Sequence, residues 1–471
     1  SGTVQPFDVG LGQLRDRLID CTGSACHLKT VRVHLESAED FATEALFQLS
    51  ATCGGQRVQW NADWRIRWSA GVESADAPRI AALVITNPRT VRAPRDRFRD
   101  VTRRIITDDT TWYPQLARGS EHWYGRIDAL GQLNFMGHHG IAIGDVNGDG
   151  LDDVYVAMGE GLPNKLLVRQ PDGTVRDEAA SAGVDWLDGT AGVLLVDLDN
   201  DGDRDLLCAI GPVIVYCQND GTGKFTPVRG LRAGTPAAFY GLAAADYDLD
   251  GDLDIYATRY VKVRYGVSAP VPYHDANNGP RNHLLRNDGA GGFTDVTLAV
   301  GLDVNNRRFS LAAVWTDYDH DGDPDLYVTN DFGRNNLYRN DGGKFKDVAA
   351  SAGAEDQAAG MGASVLDFDL DGDLDLYVSN MFSSAGGRVA YQPRFAAGGS
   401  PDAVAAIQRH SVGNSLLANN GDGTFSDVSD ALGVRMGRWA WGARGIDLNN
   451  DGFDDLVVPN GFLTGDRMDD L

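Results

Sequence analysis

One acidic segment recurs six times, each copy is flanked by short apolar runs, and the copies stand 49 to 80 residues apart, three of the five spacings being near 50. Together these observations predict an all-β propeller of four-stranded blades, six by repeat count with seven left open. A small α+β domain is expected over residues 1–95 and the propeller over 96–471.

The N-terminal segment lacks the repeat. In "LGQLRDRLID", Leu11, Leu14 and Leu18 stand at helical spacing. "RVQWNADWRIRW" (57–68) alternates Val58, Trp60, Ala62, Trp64, Ile66 and Trp68 with polar residues, the pattern of a half-buried strand. The Trp stripe reads as core packing in preference to a sugar pocket. "TVRVHL", "EALFQLSA" and "RIAALVIT" read as further strands, and "NPRTVRAPRDR" (87–97) as the linker. A helix followed by an antiparallel sheet resembles the NTF2-like fold.

The six segments are "DVNGDGLDD" (145), "DLDNDGDRD" (197), "DYDLDGDLD" (246), "DYDHDGDPD" (317), "DFDLDGDLD" (367) and "DLNNDGFDD" (447), at spacings of 52, 49, 71, 50 and 80. Apolar runs such as "GVLLV" precede them and others such as "DLLCAI" follow, so each segment reads as a hairpin between two buried strands. A third run ("NKLLVRQ", "NHLLRND", "NNLYRND", "NSLLANN") and a fourth ("GFTDVT", "KFKDVA", "TFSDVS") complete a four-stranded unit. "FRDVTR" (98–103) looks like a fourth strand without the preceding three. It is expected to complete the last blade and close the ring.

Carboxylates this dense repel one another unless something positive sits among them. The shared pattern D-x-[DN]-x-D-G-x-x-D offers side-chain oxygens at positions 1, 3, 5 and 9 and a free carbonyl at 7. Glycine at 6 permits the sharp reversal that wraps one hard cation. The expected sets are Asp145, Asn147, Asp149, Leu151 and Asp153; Asp197, Asp199, Asp201, Asp203 and Asp205; and Asp246, Asp248, Asp250, Asp252 and Asp254. The other three are Asp317, Asp319, Asp321, Asp323 and Asp325; Asp367, Asp369, Asp371, Asp373 and Asp375; and Asp447, Asn449, Asp451, Phe453 and Asp455. Oxygen-only donors in a flexible loop suit Ca2+, about six ions, in a structural role. The two loops with asparagine at position 3 should bind most weakly.

The formal net charge of −25 argues against a nucleic-acid partner. With the 22 spaced loop aspartates set aside, the remaining 45 acidic residues nearly balance 42 basic ones. No apolar run approaches a membrane span, and the opening "SGTVQPF" lacks a basic n-region and an apolar h-region, so any signal peptide is expected to be absent or already removed. Five cysteines without a C-x-x-C pair argue against zinc. Cys21/Cys26 and Cys208/Cys217 are close enough in sequence to pair, which would leave Cys53 over and mildly favours an oxidising compartment.

The loops resemble the FG-GAP/VCBS repeats of integrin α-subunit propellers and, more closely, the bacterial relatives of cartilage acidic protein. "GHHGIAIGDVNGDGLDDVYV", "PYHDANNGPRNHLLRNDG", "NDFGRNNLYRNDGG" and "MGRWAWGARGIDLNNDGFDDLVVPNGFLTG" carry the same likeness. The resemblance implies calcium binding and an extracellular, cell-surface or periplasmic setting, with no known enzyme activity.

If the acidic hairpins share one face of a propeller, the starts of first strands and ends of second strands share the other. His139, Tyr240, Trp441, Arg259, Asn330 and Asn380 fall there, with His138, Arg307, Arg308, Arg334 and Arg438 nearby. Such a face suits a protein or glycan ligand, or else knits the loops together. Insertions at 259–281 and 381–413 belong to it as well. His274 with Asp275 is a candidate acid–base pair, and His138 with His139 a candidate metal pair. The leading expectation is a protein- or glycan-binding module. The alternatives are a polysaccharide lyase or hydrolase and a structural subunit of a larger surface complex.

Overall fold

A computed structural model describes residues 19–36, 40–69, 78–94, 98–107, 111–119, 122–123, 125–127, 140–234, 237–260, 269–289, 291–395 and 399–461. The chain divides into two compact units, Ser1–Val101 with Ser383–Ser411, and Thr102–Phe382 with Val412–Leu471.

The first unit is built on an antiparallel meander of β1 (Cys21–Leu35), β2 (Asp40–Cys53), β3 (Gln56–Ser69) and β4 (Arg79–Ala93). Alternation in β2 buries Thr43, Ala45, Phe47, Leu49 and Ala51 on one face. Trp64 stacks on Phe47 at 4.2 Å between ring centroids. The β2–β3 hairpin turns on Gly54 and Gly55, both at positive φ, as a two-residue hairpin of this hand requires. β4 runs to Ala93, so most of the expected linker is strand. The expected helix around Leu11, Leu14 and Leu18 lies outside the described residues.

Residues 383–411, expected on the ligand face of the propeller, group with this unit. They form helices Ser384–Ala390 and Pro401–Arg409, with Ser383 and Ser400 accepting N-terminal backbone N–H groups. Arg388 Nη1 donates to Thr30 O at 2.8 Å, and Arg32 lies 4.0 Å over the Tyr391 ring.

The pairing of cysteines also differs from expectation. The β1–β2 register sets Cys21 directly opposite Cys53, and these two form the disulfide. Cys26, opposite Leu49, is free. Cys208 and Cys217 sit on paired strands but face Val215 and Leu206, not each other, and remain free and buried.

The second unit is a propeller-like succession of antiparallel sheets, each a meander in sequence order. Five are four-stranded, over 141–177, 190–231, 239–295, 309–347 and 360–427, and two strands follow over 444–457. Each pair of consecutive sheets shares an apolar cluster. Leu195 and Val193 of the second pack with Tyr155 and Ala142 of the first. The same relation recurs through Ile255 and Leu207, Leu326 and Tyr256, Leu376 and Tyr327, and Leu456 and Tyr377. A fully buried side chain of this size contributes about 1.5–3 kcal/mol. Glycine in the innermost strand lets the next sheet approach, since a Cβ on Gly192 would stand 2.3 Å from Tyr240 O.

Residues 98–103 do not form the closing strand. Phe98 is 75 % exposed, Thr102–Ile105 is one helical turn, and Ile106 bridges Val175 of the first sheet. A run of Arg and Asp around one exposed aromatic has no apolar face to bury in a sheet.

Candidate metal centres

Every acidic segment joins the first and second strands of its sheet, and its backbone is folded by its own carboxylates. At position 1, Oδ2 accepts the N–H of the position-6 glycine: Asp145 from Gly150 at 2.7 Å, Asp246 from Gly251 at 2.9 Å, Asp447 from Gly452 at 2.8 Å. That glycine has φ between 81° and 97° in all six segments, a region closed to most side chains. At position 5, Oδ1 accepts the N–H of position 7, as in Asp201 with Asp203 at 3.0 Å.

Position 9 is the buried anchor. Asp153, Asp205, Asp254, Asp325 and Asp375 are each at most 1 % exposed. In each, Oδ2 accepts the N–H of position 2 and Oδ1 accepts an N–H from the third strand. For Asp325 these come from Tyr318 at 3.2 Å and Asn340 at 2.7 Å. One carboxylate thus ties three strand ends together. Burial still pushes Asp254 and Asp325 up to about 7 and Asp205 and Asp375 up to about 6.

Position 3 supplies what the folding of the loop does not use. Asp199, Asp248 and Asp319 each hold a buried Oδ1 with no hydrogen-bond donor. Burial, then the like charge at position 5, raises all three above the usual carboxylate range. Carboxylate oxygens of Asp197, Asp199 and Asp205 lie within 4.8 Å of one another, as do those of Asp246, Asp248 and Asp250, of Asp317, Asp319 and Asp325, and of Asp367, Asp369 and Asp371. A buried carboxylate oxygen whose lone pairs meet no donor is costly, and a hard cation can satisfy several such oxygens at once. The donor sets fit calcium. The outer two segments differ: Asn147 Oδ1 is taken by Asp149 N–H at 3.0 Å, and the Asn449 amide turns its Nδ2 toward Asp455.

The expected ligand face is mostly interior. Arg259 is 1 % exposed, its guanidinium lying 4.1 Å over Phe239 and donating to Ala233 O. Asn330 accepts from Ser310 and donates to Arg334 O and Asn336. Asn380 donates to Asp356, and Tyr240 is buried against Tyr260. Asp275, expected as a partner of His274, is engaged by Arg308 at 2.9 Å and Arg334 at 3.4 Å. Tyr260 donates to buried Asp331 at 2.5 Å. Arg307 and Arg438 are exposed, and Trp441 stacks with Trp439. His138 and His139 lie outside the described residues.

Residues 145–208, 197–257, 317–378 and 399–458 match the family described as FG-GAP-like repeat. The chain is an FG-GAP repeat protein. Its FG-GAP repeats coincide with the acidic hairpins and their flanking strands. Cartilage acidic protein 1 of Xenopus tropicalis is 31% identical over 132 residues, and that of Mus musculus 31% over 131 residues. Each match covers 27% of this chain, which spans a fifth (20%) of those relatives' length. A solved structure concerning recognition of non-reducing terminal N-acetylglucosamine by an Agrocybe aegerita lectin is 17% identical, covering 68% of this chain and 74% of its own, at a TM-score of 0.40.

Four residues that the sequence reading did not single out complete the FG-GAP centres: Asn219, Asn287, Asn340 and Asn419. Their signal was present, since an asparagine ends the third-strand motif in "LLRND", "LYRND" and "LLANN".

Proposed function

We propose that this chain is a calcium-loaded, propeller-like binding module that works outside the cytoplasm, in an extracellular, cell-surface or periplasmic setting, and engages a protein or glycan. The observation that carries the calcium reading is the trio of donor-less buried oxygens on Asp199, Asp248 and Asp319, each at the same place in a repeated cage. Calcium would be held by side chains at positions 1, 3, 5 and 9 with the carbonyl at 7. It would neutralise the carboxylates and clamp the first strand to the second. The Cys21–Cys53 disulfide favours an oxidising compartment. Among the described residues, no helix is long and apolar enough to cross a membrane. Exposed Arg438 beside the stacked Trp439 and Trp441 offers the mixture of charge and aromatic surface that glycans and protein loops engage.

Calorimetric titration of chelator-stripped protein with calcium tests this reading. The four all-aspartate loops should fill first and the loops at 145–153 and 447–455 last. Glycan arrays and affinity capture in calcium buffer should then yield a ligand that chelator releases. Absence of calcium uptake defeats the cation reading, and a ligand indifferent to chelator defeats the link between the ions and binding.

A further inference from the structure

We propose that four buried asparagines couple the cation loops of neighbouring blades, so that the loops fill cooperatively and not one by one. This rests on the calcium reading of the loops given above. Asn219, Asn287, Asn340 and Asn419 each close the third strand of a blade, and each is at most 6 % exposed.

The backbone N–H and both polar side-chain atoms of these residues are committed. The backbone N–H donates to Oδ1 of the position-9 aspartate of the same blade, at 2.9, 2.8, 2.7 and 2.8 Å for Asp205, Asp254, Asp325 and Asp375. The side-chain oxygen accepts an N–H from the following turn: Gly223, Gly289, Gly343 and Gly421. That contact fixes the orientation of the amide. Nδ2 then reaches across to the preceding blade and donates to the position-2 carbonyl of its cation loop. The distances are 2.8 Å to Val146, 2.9 Å to Leu198, 2.8 Å to Tyr247 and 2.8 Å to Tyr318.

The position-2 peptide lies between ligand positions 1 and 3, so its orientation helps set both. Its own N–H goes to the position-9 carboxylate of its loop, as Tyr247 does to Asp254 at 3.3 Å. A continuous path therefore runs from the position-9 carboxylate of one loop, through the asparagine, to the ligand-bearing backbone of the loop before it. An ion that fixes either end lowers the ordering still required at the other, which is positive coupling, and linkage makes it reciprocal. Blade one is the natural contrast. Arg169 stands where the asparagine does elsewhere, and its N–H still binds Asp153 at 2.8 Å. The local anchor survives there, and an arginine side chain lacks the amide oxygen that accepts from the turn. Two blade pairs carry a second bridge: Asn200 donates to Asp252 at 2.9 Å, and the His320 ring meets Asp373 at 2.9 Å.

Hydrogen–deuterium exchange of each loop peptide across a calcium titration of the full chain tests the coupling. In the unaltered protein, loops 246–254 and 317–325 should gain protection at one shared midpoint with a steep transition. Asn340→Ala should move the midpoint of loop 246–254 by about tenfold to higher calcium, although no residue of that loop has changed. Asn420→Ala, an exposed position in a neighbouring turn that bonds only Thr424 and Ser426, should leave it in place. A second arm leaves the latch intact. Asp319→Asn, which weakens the cation cage of 317–325, should also raise the midpoint of 246–254 at least threefold if the path transmits. Midpoints for 246–254 within twofold of the unaltered protein in both variants overturn the latch while leaving the calcium reading standing. Loops that gain no protection at any calcium concentration overturn both.

Discussion

The N-terminal sheet and the blades solve the same problem in opposite ways. β1 to β4 are 14 or 15 residues long, pair along nearly their whole length, and are pinned by the Cys21–Cys53 disulfide. Blade strands run three to eight residues, and many outer ones only three, as in Phe345–Asp347 and Phe425–Asp427. Three residues supply too few cross-strand bonds to hold a register alone. In the blades that task passes to the buried position-9 carboxylates and, on the proposed reading, to a cation held in each loop. One region stores its stability in pairing and a covalent link, the other in repeated polar junctions.

Removing the ion should separate the two most strongly. In excess chelator the blade transition should fall by more than about 10 °C, while the N-terminal sheet keeps its own midpoint. Scanning calorimetry with site-specific proteolysis reads both. Blades that melt unchanged without calcium would erase the contrast.

A smaller and opposite effect is expected from Cys53→Ala. The disulfide closes a sequence separation of 32. Its loss should destabilise the N-terminal sheet by roughly 3–4 kcal/mol on a chain-entropy basis. Denaturant unfolding should register that loss there and leave the calcium-dependent blade transition where it was. A shift in the blade transition of the same size would mean that the division of labour is wrong.

Much of the blade architecture was legible because its signals are local. Spaced aspartates, a glycine at position 6 and flanking apolar runs lie within nine residues and a few neighbours. Cys21–Cys53 was not legible, because strand register and not sequence proximity brings the two together. Several residues assigned to a ligand face are buried, for a reason of a different kind. Arg259 and Asn380 end the second strands of their sheets and Asn330 lies near the end of another, and they donate to the backbone carbonyls of Ala233, Gly413 and Arg334, which need donors where they are buried. Polar residues there satisfy the interior first. The helices of 383–411 went unforeseen because an insertion between strands reveals its length and not the unit it packs with.

The most direct measurement is an anomalous-scattering map from crystals grown in calcium, collected at a long wavelength where calcium scatters strongly. Peaks within about 2.3–2.6 Å of the position-3 oxygens of Asp199, Asp248 and Asp319 are the predicted result. Water at hydrogen-bonding distance in those places, at saturating calcium, would contradict it.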